Sequence, residues 1–76
     1  MKDLIEFVAK KLVDHPEDVQ VRVVEGEGVQ NYELQVHQED MGRVIGKGGR
    51  TAKALRTIVS TAAAKADVHI TLEIVE

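Results

Sequence analysis

Hydrophobic positions recur along this chain with two different periods. At its start, "MKDLIEFVAKKLVDHPED" puts Leu4, Ile5, Val8 and Leu12 on one face of a helix over residues 3–14, with Lys2, Glu6, Lys10 and Asp14 mostly turned away. Asp14, His15 and Pro16 should stop it, because proline disfavours helical geometry in the residue before it. The period then drops to two: Val19, Val21 and Val23 share one side of a strand, and Tyr32, Leu34 and Val36 share one side of another. Between them "EGEG", Glu25 to Gly28, reads as the turn of an antiparallel hairpin. A short helix is predicted from Glu39 or Asp40 to about Ile45, its acidic start suited to the positive end of the helix dipole, and Gly46 to Gly49 breaks it. The helical period returns from Arg50 to about Lys65. Ala52, Leu55, Val59, Ala62, Ala63 and Ala66 line one side there, and five alanines among strong helix formers support the assignment. Finally, "DVHITLEIVE" alternates Val68, Ile70, Leu72 and Ile74 to one side, as a strand does. The order αββααβ predicts a two-layer α+β domain, a three-stranded sheet with three helices on one face. Leu4, Val8, Val21, Leu34, Leu55, Val59, Ile70 and Leu72 are its expected core, with the two aromatics, Phe7 and Tyr32, also assigned core positions.

Composition changes this picture in three ways. The 76 residues suffice for one domain and no second. A domain of that size buries only about 60% of the surface its unfolded chain exposes, so association with a partner is expected to help it. The sequence has no cysteine, hence no disulfide framework and no thiolate metal site, and the cytoplasm is the expected compartment. Charged residues inside the first apolar pattern, Asp3, Glu6, Lys10 and Lys11, argue against a secretory signal or membrane insertion. Net charge is −3, but the charge is segregated. From Met41 to Ala66 there are six basic residues (Arg43, Lys47, Arg50, Lys53, Arg56, Lys65) and no acidic one, while the remainder holds four basic and thirteen acidic residues. Within a Debye length of roughly 8 Å it is the local field that a polyanion meets, so this stripe can attract one despite the acidic total. Arg56 and Lys65 can equally be plain solvated helix residues.

The stripe contains "GRVIGKGGRT", Gly42 to Thr51, with four glycines and three basic residues in ten positions. A Walker A loop needs four residues between its first glycine and the Gly-Lys pair, then Ser or Thr directly after the lysine. Here three residues separate Gly42 from Gly46, and Gly48 follows Lys47. A dinucleotide fingerprint starting at Gly46 and Gly48 would find Thr51 where its third glycine belongs, with a helix in front instead of a strand. What remains is helix, Gly46-Lys47-Gly48-Gly49, helix. Missing side chains there would let a sugar-phosphate backbone lie directly on the chain, free amides near Gly49, Arg50 and Thr51 would favour an anion, and Lys47 and Arg50 would add full charges.

"VIGKGGRTAKALRTIV" resembles the signature of KH domains, in which Ile-Gly-x-x-Gly joins two helices and clamps about four nucleotides of a single strand. Helix and hairpin placed first match the type II, prokaryotic arrangement. The stretch "DMGRVIGKGGRTAKALRTIV" in a chain of 76 residues further resembles the KhpA-like family of small single-KH RNA-binding proteins of bacteria, over the whole length 1–76. One departure is Gly48, at a variable loop position that such proteins often fill with a polar side chain. The resemblance implies single-stranded RNA as partner, with phosphates against Gly46, Lys47, Gly48, Gly49, Arg50 and Thr51, Arg43 and Lys53 flanking, and bases in a shallow apolar groove floored by Val44 and Ile45, which can equally be core residues. It also implies a homodimer, a heteromer with a larger KhpB-like protein, and RNA-chaperone or post-transcriptional roles linked to cell elongation and envelope homeostasis. The alternative reading is a KH fold kept as a protein-protein interaction scaffold. No cofactor is expected. His15, His37 and His69 lie in three separate elements without a partner at ligand spacing, which reads as surface or turn histidines and no metal site, and no nucleophile-base pair suggests catalysis.

Overall fold

In the computed structural model, which describes residues 1–76, helix α1 (Lys2–Leu12) leads into a single tight turn at Pro16–Asp18 and then a hairpin of β1 (Gln20–Gly26) and β2 (Val29–Gln35). Another tight turn, Gln38–Asp40, opens the five-residue α2 (Met41–Ile45); the glycine loop joins it to α3 (Arg50–Lys65), and β3 (His69–Val75) ends the chain. This is the expected αββααβ order. The strands lie β1-β2-β3, with β1 antiparallel and β3 parallel to the central β2. Parallel neighbours cannot be joined by a hairpin, so α2 and α3 supply the crossover from β2 back to β3.

The two periods decide which side faces in. Val21 pairs with Leu34, and Tyr32 pairs with both Val23 and Leu72, so these side chains share one face of the sheet. Ile5 and Ala9 of α1, Val44 of α2, and Leu55 and Val59 of α3 cover that face. Each of the larger ones, Ile5, Val44, Leu55 and Val59, contributes on the order of 1.5–3 kcal/mol when removed from water. On the other face Arg22 approaches Glu33 at 3.7 Å and Thr71 Oγ1 donates to Asn31 at 2.6 Å. The result is an α+β fold with a mixed three-stranded sheet and its helices on one side, consistent with the type II KH arrangement.

Several residues depart from the expected positions. Helix α1 ends at Leu12, with Val13 already extended (ψ 159°), two residues before the expected stop at Asp14. Its buried stripe runs through Ile5 and Ala9, because the small alanine lets the helix settle close to the sheet; Leu4 is left exposed and Val8 half-buried. Phe7, expected in the core, is 61% exposed, with Lys11 Nζ 5.3 Å from its ring centre. In the hairpin the strands run on to pair Gly26 with Val29, which shortens the turn to Glu27 and Gly28. Helix α3 closes with Asp67 in the left-handed region (φ 57°), its N–H on the Ala64 carbonyl and the Val68 N–H on that of Ala63, so Asp67 is a helix terminator and Val68 precedes the strand. Arg56 bends back to donate from Nε to the Leu72 carbonyl at 3.1 Å, a tie to the sheet rim. No helix is long and apolar enough to cross a membrane.

Candidate nucleic-acid interface

Helix α2 is too short to be stable alone, since a single turn and a half leaves most of its backbone groups without partners in the helix. It is held instead from its two ends. At the front, Asp40 is 1% exposed, and its side chain does not cap α2. Its carboxylate reaches across the fold. Oδ1 accepts the Asp14 N–H at 3.1 Å, and Oδ2 accepts the His15 N–H and faces the His15 ring at Nδ1, each at 3.0 Å. Burial pushes the Asp40 carboxyl pKa up, but the Asp14 amide, the His15 ring and the His15 amide outweigh it and hold the group below the ordinary value of 3.8. The hydrogen bond to Asp40 conversely raises the His15 pKa above 6.5, against the partial burial of the ring and with help from the charges of Asp40, Glu39 and Glu17. Asp40 therefore ties the end of α1 to the beginning of α2.

At the far end Gly46 stops the helix with φ 78° and ψ 171°. Its N–H still donates to Gly42 at 2.9 Å, and a Cβ placed on it would collide with the Thr51 side chain and come within 2.8 Å of the Thr51 nitrogen. Glycine is thus required at position 46 twice over, by dihedral and by space. Gly48 (φ 65°) and Gly49 (φ 79°) also lie in the left-handed region, yet open space surrounds both. The two stretches of loop have different reasons for being glycine: position 46 is packed, positions 48 and 49 are bare.

The structure sorts the expected site residues as follows. Lys47, Gly48, Arg50 and Lys53 are exposed, and Gly46, Gly49 and Thr51 are half-buried. Arg43 is exposed but paired, its guanidinium 3.2 Å from the Asp14 carboxylate. Val44, expected on a groove floor, is wholly buried and packs into the core, whereas its neighbour Ile45 is 37% exposed. Only Ile45 of the two can touch a ligand. The free amides expected at Gly49 and Arg50 are not free: the Gly49 N–H donates to Gly46 O at 3.1 Å and the Arg50 N–H to Lys47 O. The loop closes on itself as a tight turn, so what it presents outward is backbone without Cβ atoms and the charges of Lys47 and Arg50. Two surface hollows exist, one along the sheet by Gln20, Arg22 and Val75 and one beside Ala64 and Val68, and neither is lined by the loop. The loop is an exposed tip.

Sequence reasoning missed the other end of α2. His15 and His37 are not isolated: their rings stack with centres 4.1 Å apart and planes inclined by 16°. A buried aspartate bonded to residues 25 and 26 positions away leaves no periodic trace, and the only faint signal is an aspartate at a helix start whose neighbour in space is a histidine before a proline.

A family model described as "KhpA/KhpB, KH domain" matches residues 2–74. The chain is 55% identical over 75 residues to an RNA-binding protein KhpA of Clostridium perfringens, covering 99% of this chain and all of that one. The KhpA of Listeria monocytogenes is 53% identical over the full length of both chains, and that of Chlamydia caviae is 45% identical over all of this chain and 97% of its own. Among solved structures, Aquifex aeolicus Era bound to GDP and aluminium fluoride superposes with a TM-score of 0.68 at 19% identity, over 96% of this chain and 28% of that one, a likeness of fold alone.

Proposed function

The chain belongs to the KhpA/KhpB KH-domain family, and from that premise we propose that it is a non-catalytic protein that binds single-stranded RNA at the Gly46–Gly49 tip. The observation that carries this reading is the pair Gly48 and Gly49, bare of side chains and with open space beside them, between the exposed cations Lys47 and Arg50 in a segment without acidic residues. A sugar-phosphate backbone can approach such a surface closely, and phosphate contacts of this kind position a strand without reading its sequence. Lys53, one helical turn along α3, extends the positive track. Arg43 joins it by exchanging the Asp14 carboxylate for a phosphate. Ile45 offers the apolar contact for a base, and Val44 supports it from beneath. With about three phosphates engaged, the log-log slope of affinity against salt would be about −2. Binding by one copy is then weak, and a homodimer, or a heteromer with a larger KhpB-like partner, would raise avidity on a strand able to reach both sites. RNA-chaperone or post-transcriptional action in the cytoplasm, linked to cell elongation and envelope homeostasis, follows from the family resemblance as part of the same proposal.

The test is the double variant Lys47→Asp, Gly48→Asp, with binding of a short fluorescent single-stranded RNA read by anisotropy. Aspartate is among the residues that tolerate φ > 0, and nothing lies within 4 Å of a Cβ at position 48, so the variant should fold, as circular dichroism will check. Affinity should fall at least tenfold. Unchanged affinity in a folded variant would remove the RNA reading and favour the interaction scaffold instead.

A further inference from the structure

At the opposite end of α2, residues that the sequence scatters come together. His15 follows α1, His37 follows β2, and Glu39 lies in the turn before α2; one donor atom from each falls within 4.8 Å of the other two. We propose that His15, His37 and Glu39 form a binding site for a divalent transition-metal ion of the Zn²⁺ class.

Three features carry the proposal. The first is the orientation of His15. Its Nδ1 faces the Asp40 carboxylate at 3.0 Å, and that carboxylate is buried and held by two backbone amides. With the proton on Nδ1 donated to Asp40, Nε2 keeps its lone pair for a metal. This is the carboxylate-histidine arrangement that orients metal-bound imidazoles and raises their basicity. The second is access. The side chains of His15, His37 and Glu39 are 34%, 32% and 77% exposed, so an ion can enter from solvent and keep a water molecule as a further ligand. The third is the donor set. Two imidazole nitrogens and a carboxylate oxygen suit Zn²⁺, Ni²⁺ or Cu²⁺, and a pair of imidazoles selects against Mg²⁺ and Ca²⁺.

The present geometry is an open form of the site. Ligand atoms around a tetrahedral Zn²⁺ at bond lengths near 2.1 Å stand about 3.4 Å apart, so donors that now lie within 4.8 Å of one another must draw together by up to about 1.4 Å. Glu39 is the mobile member and His15 the fixed one. His37 must give up a bond: its Nδ1 accepts the Glu39 N–H at 3.0 Å. Binding the ion at Nδ1 displaces that N–H, and binding it at Nε2 moves the ring proton to Nδ1, where it faces a donor. The stacked rings tilt apart in either case. His37 is therefore the weaker of the two nitrogen ligands.

The experiment is titration of ZnCl₂ into the tag-free chain in chelator-stripped buffer, followed by calorimetry and by ¹⁵N shifts of the histidine ring nitrogens. One equivalent should bind in the micromolar range, with the His15 Nε2 resonance moving. His15→Gln should weaken binding by at least about 100-fold, the upper end of what loss of an outer partner alone costs, with smaller losses for His37→Gln and Glu39→Gln. His69→Gln should change nothing, since His69 pairs with Val29 at the far end of β2. Should His15→Gln fail to fold, His37→Gln and Glu39→Gln decide the matter, because they leave the Asp40 bonds intact. Absence of saturable binding at millimolar Zn²⁺, or binding undiminished in the His37→Gln, Glu39→Gln double variant, overturns the site.

Discussion

The two ends of α2 share five residues of helix and have opposite designs. At the Asp40 end the carboxylate is buried and matched by two amides and an imidazole. The Gly46–Gly49 end is wet, and its outward face consists of backbone and two unpaired cations. A helix this short can present an exposed tip in a fixed place only if its other end is anchored, because it has too few hydrogen bonds of its own to hold direction. Anchor and tip are thus two halves of one device, and substitutions should affect them differently.

Removing the anchor should have the largest effect. Asp40→Ala leaves the Asp14 and His15 amides, both part-buried, without their acceptor, and it should lower Tm, measured by thermal circular dichroism, more than any substitution in the glycine loop or at Arg43; a Tm near that of the wild type would mean α2 is held by packing alone. Gly46→Ala comes next. Its Cβ has no room beside Thr51 and its φ is 78°, so a loss of about 2–4 kcal/mol is expected, roughly 10–20 °C in Tm for a domain of this size. Gly48→Ala shares the positive φ but meets nothing, so about 1 kcal/mol should be lost. Equal losses at 46 and 48 would erase the distinction between packed and bare glycines.

The pH dependence sharpens the comparison further. The Asp40 carboxyl is held below 3.8, so its contribution is present above that value and is lost as pH falls through the lower, folded-state pKa. His15 is raised above 6.5, so its contribution is full below 6.5 and is lost as pH rises through the raised value. In metal-free buffer, denaturant midpoints should therefore decline in strong acid and, more gently, on the alkaline side of neutrality, and His15→Gln should remove the alkaline decline while only softening the acid one, which the Asp14 and His15 amides still sustain. The smallest effect should come from Arg43→Ala. Its ion pair with Asp14 is exposed on both sides and is worth less than about 1 kcal/mol, so Tm should scarcely move while RNA affinity drops a few-fold. A large loss of stability would make Arg43 part of the anchor.

The same contrast explains what the sequence could reveal. Long elements with a clean period were legible: the αββααβ order holds, and the alanine-rich α3 and the alternating strands stand within a residue or two of where the pattern puts them. The loop was legible because glycines at fixed offsets have few other uses. Val44 and Ile45 were not separable, since five helical residues make too short a stretch for a 3.6-residue period to say which neighbour faces in. Phe7 was misassigned because size suggested burial, whereas the small Ala9 took the contact with the sheet. The anchor was invisible for a different reason: Asp40 acts on Asp14 and His15 through space, and at a helix start it looks like an ordinary response to the dipole.

The guanidinium of Arg56, laid on the Leu72 carbonyl, has one more implication. β3 is a border strand, and border strands invite foreign chains to zip onto their unpaired carbonyls and amides. A visitor on that border must first dislodge an arginine, so the bond acts as a lock against unwanted sheet extension.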